Sequence, residues 1–334
     1  MKRLLLLLLL GLAGCSAAPL PVHAAPPAVA PSGLPEAVRL WQDAAIFGAV
    51  THLIGGASGR VLVEMYEFGR RDLEGALLSA RRRGADVRLV YDPSVPQTAH
   101  AAARLAGMGL PARPYPLDDR RHQIDHVKLL IADGRALVAG MNWGSTSARN
   151  HDYGLETWAA PEVARLSSIF EQDWSLAGGV PRPMPPAAAA EPIVQTAPGA
   201  EVRASLLSLT ASARSEIRAE VFVLTDHEVL AALAAAHRRG VRVRVLLDPR
   251  QDVNQPSRRL LAGAGVQVRW YPVPPGAKLH AKIGLFDSGH LLLGSANWSL
   301  SGLSVNHELD VETGDPGAIR AYATRFESDW AKSA

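Results

Sequence analysis

The chain has 334 residues, of which 48% are hydrophobic and 20% charged, so it can bury a large core and is neither a disordered nor a fibrous protein. Its formal net charge of +3 falls to +1 without Lys2 and Arg3, too little to hold nucleic acid by bulk electrostatics. Length alone allows one large domain or two ordinary ones.

Met1-Lys2-Arg3 precedes seven leucines, Leu4 to Leu10. A basic start before an apolar run of this length reads as a signal peptide, and the run is too short to span a bilayer. Leu12-Ala13-Gly14-Cys15 resembles the bacterial lipobox, so residues 1–14 read as a lipoprotein signal and Cys15 as the residue acylated after cleavage. The alternative is an ordinary signal peptide cleaved further on, between residues 17 and 25. Cys15 is the only cysteine, which weighs against that alternative and leaves the exported body without a disulfide or a free thiol. Several acyl chains on one residue would anchor firmly where one chain anchors only marginally. Ser16 follows the cysteine instead of Asp, which by resemblance to Gram-negative sorting favours the outer membrane. The expected location is the cell envelope. Residues 15–33, rich in Ala and Pro, read as a tether.

Two halves follow, 34–180 and 201–334, with a Pro- and Ala-rich linker at 181–200 between them. They repeat. Phe170-Glu171-Gln172-Asp173-Trp174 recurs as Phe326-Glu327-Ser328-Asp329-Trp330, Asn150-His151-Asp152 as Asn306-His307-Glu308, and Val90-Tyr91-Asp92-Pro93 as Leu246-Leu247-Asp248-Pro249, all offset by 156. Shared offsets on both sides of the motif below indicate an internal duplication. Each half is expected to begin with an apolar strand, 59–68 and 215–224, carrying Glu64 and Glu220. A helix follows, 73–83 and 228–239, with a basic last turn and Gly84 or Gly240 as its stop. The next strands, 86–91 and 241–247, are nearly continuous apolar runs, as in a sheet covered on both faces. Strands alternating with helices imply an α/β layered fold in each half.

The chemistry lies in a spacing that occurs twice, H-x-K-x4-D. It is His126, Lys128 and Asp133 in the first half, followed by Gly140-Met141-Asn142-Trp143; it is His280, Lys282 and Asp287 in the second, followed by Gly294-Ser295-Ala296-Asn297-Trp298. Residues 127–132 and 281–286 are strand-like, and positions two apart on a strand share a face, so His and Lys converge. An imidazole can act as nucleophile or proton donor near neutral pH, and an ammonium group stabilises phosphate oxygens as charge develops. One buried His-Lys pair could be a satisfied core histidine. Two in register are not explained by stability, because a buried unpaired charge is costly.

This doubled pattern is the signature of the phospholipase D superfamily, which the chain resembles from residue 34 to its end. The resemblance implies two pseudo-symmetric α/β halves, each a mixed β-sheet flanked by helices, packed with one active site between them. It also implies a phosphohistidine mechanism, in which one histidine attacks phosphorus while the other protonates the leaving alcohol and then activates water or an acceptor alcohol. In the family the nucleophile is usually in the first copy, which assigns it to His126 and the acid/base role to His280; the spacing itself does not distinguish them. Asn142, Asn297 and Ser295 match positions that help bind phosphate oxygens. Asp152 and Glu308 match the carboxylate that orients a histidine. Asp133 and Asp287 read as structural. The first copy departs from the pattern in three ways: Met141 stands in place of Ser, one residue is missing before Asn142, and the carboxylate is the shorter Asp152.

No Cys/His/Asp cluster with ligand spacing stands apart from the repeat, so neither metal nor other cofactor is expected. Trp143 and Trp298 could wall the site or pack beneath it, while Trp174 and Trp330 read as core. His122, His151, His237 and His307 are given no catalytic role. The leading expectation is a phosphodiesterase acting on phospholipid at a membrane surface, by hydrolysis or by phosphatidyl transfer. A nuclease of the same superfamily is the alternative within enzymes, and a catalytically weak lipid-binding lipoprotein is the alternative outside them. Both motif copies share one chain, so a monomer suffices to complete the site.

Overall fold

The computed structural model describes residues 37–184, 193–195 and 200–334. The expected signal peptide (1–14), Cys15 and the tether (15–33) lie outside the described residues. The first half runs β1 (Val38–Gln42), α1 (Ala45–Gly56), β2 (Arg60–Met65), α2 (Arg71–Arg82), β3 (Asp86–Tyr91), α3 (Pro96–Gly107), β4 (Ala112–Pro114), β5 (Lys128–Ala132), β6 (Arg135–Ala139), β7 (Tyr153–Thr157) and α4 (Ala160–Leu176). The second half runs β8 (Ile193–Gln195), α5 (Glu201–Ser212), β9 (Glu216–Val221), α6 (His227–Arg238), β10 (Arg242–Leu247), α7 (Asn254–Gly263), β11 (Gln267–Trp270), β12 (Lys282–Phe286), β13 (His290–Gly294), α8 (Leu300–Ser304), β14 (Leu309–Thr313) and α9 (Pro316–Lys332).

Each half builds one mixed sheet, with the strand orders β1-β7-β6-β5-β2-β3-β4 and β8-β14-β13-β12-β9-β10-β11. The second order is the first shifted by seven strands, so the sequence duplication is a duplication of topology. In both sheets the pairs β2·β3, β3·β4, β9·β10 and β10·β11 are parallel and the remaining pairs antiparallel. Two elements precede the strands that the sequence reading placed first: β1 and α1 in one half, β8 and α5 in the other. The segment 181–200 is correspondingly not all linker, because β8 lies within it and pairs with β14. A three-residue strand has too few side chains to show a period, which is why β8 is invisible in the sequence.

The apolar strands are apolar because both faces are covered. In β5, Leu129 and Ile131 join a core shared by both halves, while Leu130 and Ala132 join a core beneath α1–α3. The second sheet does the same with a core beneath α5–α7. The repeated Phe-Glu-x-Asp-Trp lies on α4 and α9, in the shared layer. Phe170 and Trp174 pack there, and Glu171 receives the buried guanidinium of Arg88 at 2.5 and 2.9 Å. Glu327 receives Arg244 in the same way at 2.6 and 2.8 Å. Gly84 and Gly240 stop α2 and α6 with φ of +97° and +94°, the left-handed turn that a Cβ disfavours.

Asp133 and Asp287 sit at equivalent corners of the two sheets. Each opens the hairpin after the motif strand with a positive φ. Each carboxylate then accepts three backbone N–H groups at the start of the neighbouring strand: Ser58, Gly59 and Arg60 for Asp133, and Arg214, Ser215 and Glu216 for Asp287. Asp133→Ala is expected to destabilise the fold by roughly 1.5 kcal/mol, the low end for hydrogen bonds to a charged acceptor at a solvated site. A urea-denaturation midpoint unchanged from wild type would contradict this.

Candidate active site

His126 and His280 each lie two residues before a motif strand, in the bridges that join the halves: Asp125 bridges to His307 and Leu279 to His151. The backbone N–H of His126 donates to His307 O, and that of His280 to His151 O, both at 2.8 Å. The loops carrying the histidines are also pinned from their own sheets. Asp92 Oδ2 accepts the Asp125 N–H at 2.7 Å, and Asp248 Oδ2 accepts the Leu279 N–H at 2.8 Å. These two aspartates went unassigned in the sequence, although the repeated Asp-Pro was visible.

The orienting carboxylates cross over. His126 Nδ1 lies 2.8 Å from Glu308 Oε2, and His280 Nδ1 lies 2.7 Å from Asp152 Oδ2. Each half therefore supplies the histidine of one pair and the carboxylate of the other. Glu308 also accepts Ser295 Oγ at 2.6 Å and Asn306 Nδ2 at 3.0 Å. The single proton of Ser295, expected to help bind phosphate, goes to Glu308 and its oxygen accepts the Leu309 N–H, so here it supports the carboxylate. Asp152 has no such serine; its other oxygen accepts the Tyr153 N–H at 2.8 Å. The departure at Met141 has a packing reason, because Met141 is fully buried in the core beneath α1–α3.

Lys128 and Lys282 are fully buried, and each ammonium donates to the carbonyl of the histidine two residues before it. Lys282 Nζ is also 3.1 Å from His280 Nε2. Tyr66 packs edge-on to His126 and Phe222 tilts against His280, both with ring centroids 4.8 Å apart. Burial pushes His126 down to about 4, although Glu308 opposes it, and pushes His280 well below its ordinary value, reinforced by Lys282. Burial also lowers Lys128 to about 7 and Lys282 to about 8. His126 feels the charge of Lys282, and His280 feels that of Lys128, so the two His-Lys pairs are close enough to interact. Asn142 Nδ2 donates to Glu67 at 3.0 Å, while the buried amide oxygens of Asn142 and Asn297 have no hydrogen-bond partner. Trp143 and Trp298 are packed into the cores beneath the two sheets.

The family model described as "Cardiolipin synthase, PLD-like domain" matches twice, over residues 50–174 and 206–330. The chain belongs to the phospholipase D superfamily. Among relatives of this superfamily chain, cardiolipin synthase 2 of Bacillus cereus is 26% identical over 299 residues, covering 78% of this chain and 57% of that one. Human mitochondrial cardiolipin hydrolase is 32% identical over 133 residues, covering 40% and 52%. The chain thus spans about half the length of these curated relatives. A solved phosphatidylserine synthase from Haemophilus influenzae shares the fold at a TM-score of 0.70 and 12% identity, covering 88% of this chain and 85% of that one.

Two further clusters were absent from the sequence reading of this superfamily member. His307 meets Glu64 and Asp173, and His151 meets Glu220 and Asp329, all buried. Each joins a histidine of one half to two acids of the other, so no ligand-like spacing exists along the chain.

Proposed function

We propose that the chain is a phosphodiesterase of the phospholipase D type, hydrolysing or transferring phosphatidyl groups of phospholipids through a phosphohistidine. The reading rests on one observation: two imidazoles, each held through Nδ1 by a carboxylate of the opposite half, each with a buried lysine on its own backbone carbonyl. With Nδ1 engaged by Glu308, Nε2 of His126 is the nitrogen free to attack. A pKa of about 4 leaves it unprotonated at neutral pH. In the first step Nε2 bonds to phosphorus, the bond from phosphorus to the alcohol oxygen breaks, and His280 delivers a proton to that oxygen. The bound phosphodiester brings a negative charge beside His280, which favours the protonated form it needs. In the second step His280 takes a proton from water or an acceptor alcohol, whose oxygen displaces His126. Lys128 and Lys282 stabilise the phosphate oxygens throughout. The lipid substrate is supported by the family description and by the low net charge of the body. A lipid anchor at Cys15 would hold the catalyst at a cell-envelope membrane, and mass spectrometry of the mature N-terminus tests it.

The free-enzyme pH profile follows from the same groups. His126 must be neutral, which requires pH above about 4; the lysines must be charged, which requires pH below about 7 to 8; and His280 must be protonated, a form its burial makes scarcer as pH rises. A plot of kcat/KM is therefore expected to decline as pH rises from mildly acidic buffer through pH 7 to 8. A rise across that interval would contradict the assigned lysine roles.

The deciding experiment incubates the full chain with vesicles of phosphatidylglycerol, phosphatidylcholine or cardiolipin, and separately with single-stranded DNA, and resolves the products by mass spectrometry. Head-group release, or a new phosphatidyl product, supports the reading. Cleavage of DNA alone replaces it with a nuclease, and silence on all substrates replaces it with a binding protein.

A further inference from the structure

The two buried clusters are related by the repeat, yet they are balanced differently. In the second, His151 Nε2 lies 2.8 Å from Glu220 and 3.3 Å from Asp329. Arg325 fills the remaining space, 2.6 Å from Asp329 and 3.0 Å from both Asp43 and His151 Nδ1. The Tyr153 hydroxyl donates to Glu220 at 3.0 Å. In the first cluster, His307 Nε2 lies 3.0 Å from Asp173 and 3.4 Å from Glu64, with Tyr115 stacked on the ring as Tyr271 stacks on His151. The position of Arg325 is here Ile169 and that of Tyr153 is Leu309, both at the offset of 156, so the guanidinium and the hydroxyl are replaced by hydrocarbon. The position of Leu279 is meanwhile Asp125, an added carboxylate, at the offset of 154 set by the histidines. Both oxygens of Glu64, one oxygen each of Asp125 and Asp173, and His307 Nδ1 are buried without a hydrogen-bond partner. The first cluster has lost two donors, gained an acid, and lacks any arginine or lysine partner for Glu64 or Asp173 among the described residues.

We propose that Glu64, Asp173 and His307 bind a divalent transition-metal ion, with Asp125 beside them, where the other copy uses Arg325. Ligands about 2.0–2.2 Å from a tetrahedral ion sit roughly 3.3–3.6 Å apart, close to the 3.0 and 3.4 Å spacings observed, and the ion would replace the proton that His307 Nε2 shares with Asp173, releasing it to solvent. One imidazole with carboxylates and no thiolate suits zinc, or manganese as the harder alternative. The ion would tie β2 and α4 to the loop before β14, directly behind the His307 carbonyl that holds His126. Its role is structural, and it does not depend on the phosphodiesterase reading.

The test uses the full chain, purified without a metal-binding tag, with metal content measured by mass spectrometry and melting followed with and without EDTA. About one zinc or manganese ion per chain is expected, with a melting temperature that EDTA lowers and the same metal restores. Glu64→Gln should abolish uptake and the EDTA response. Ile169→Arg, which installs the cation of the other copy, should abolish uptake while the chain stays folded. Failure of both variants to fold leaves wild-type stoichiometry as the readout. A wild-type chain that takes up neither metal and ignores EDTA overturns the proposal and leaves protonated carboxyl groups to balance the cluster. Uptake that persists in a folded Glu64→Gln chain overturns it as well.

Discussion

His126→Ala and His280→Ala are each expected to lower kcat by a factor of about 10⁴ or more, the scale seen when one member of an interdependent catalytic group is removed. Melting should change little by comparison, because each imidazole makes one side-chain hydrogen bond to a carboxylate, with Lys282 also beside His280. The two variants are expected to differ with a phosphodiester whose leaving group needs no protonation. His280→Ala should then give a single burst of product, with phosphate retained on His126, because attack no longer needs the acid but turnover still needs the base. His126→Ala should give no burst. A burst from His126→Ala instead would exchange the two roles, and steady turnover by either variant would remove the phosphohistidine from the mechanism.

Glu308→Gln is expected to reduce kcat by about 10³–10⁴ with a smaller change in KM, by analogy with removing the orienting carboxylate of a catalytic triad. Three donors converge on Glu308, from His126, Ser295 and Asn306; against the upward push of burial, His126, the charge of Lys128 and the Ser295 hydrogen bond hold its carboxyl below the ordinary glutamate value. An amide in its place cannot accept from all three. Asp152→Asn should weaken the other histidine less, because burial already raises Asp152 to about 7 and the carboxyl group is partly neutral at physiological pH. Double-mutant cycles test the crossover directly. Glu308→Gln should be strongly non-additive with His126→Ala and closer to additive with His280→Ala, since only the first pair is in contact. The opposite pattern would mean that each carboxylate serves the histidine of its own half.

The sequence by itself determined the duplication, the α/β class and the doubled spacing of histidine, lysine and aspartate. Each of these is written locally. A buried strand needs a run of apolar residues, a hairpin needs Asp133 or Asp287 at its corner, and a helix stop needs Gly84 or Gly240. These signals span fewer than a dozen residues, so a linear reading finds them. Short strands such as β8 escaped because three residues carry no period.

Tertiary structure alone decided who partners whom. Asp152 and His126 belong to the same half, yet Asp152 serves His280, and no spacing encodes a hydrogen bond made across a pseudo-twofold interface. The same holds for His307 with Glu64 and Asp173, whose imbalance becomes visible only when Ile169 and Leu309 are superposed on Arg325 and Tyr153. It holds also for the depressed pKa values of His126 and Lys128, which arise chiefly from burial. Local residues specify local backbone, but desolvation and charge pairing depend on which distant surfaces meet, and in this chain those surfaces are the two copies of one fold.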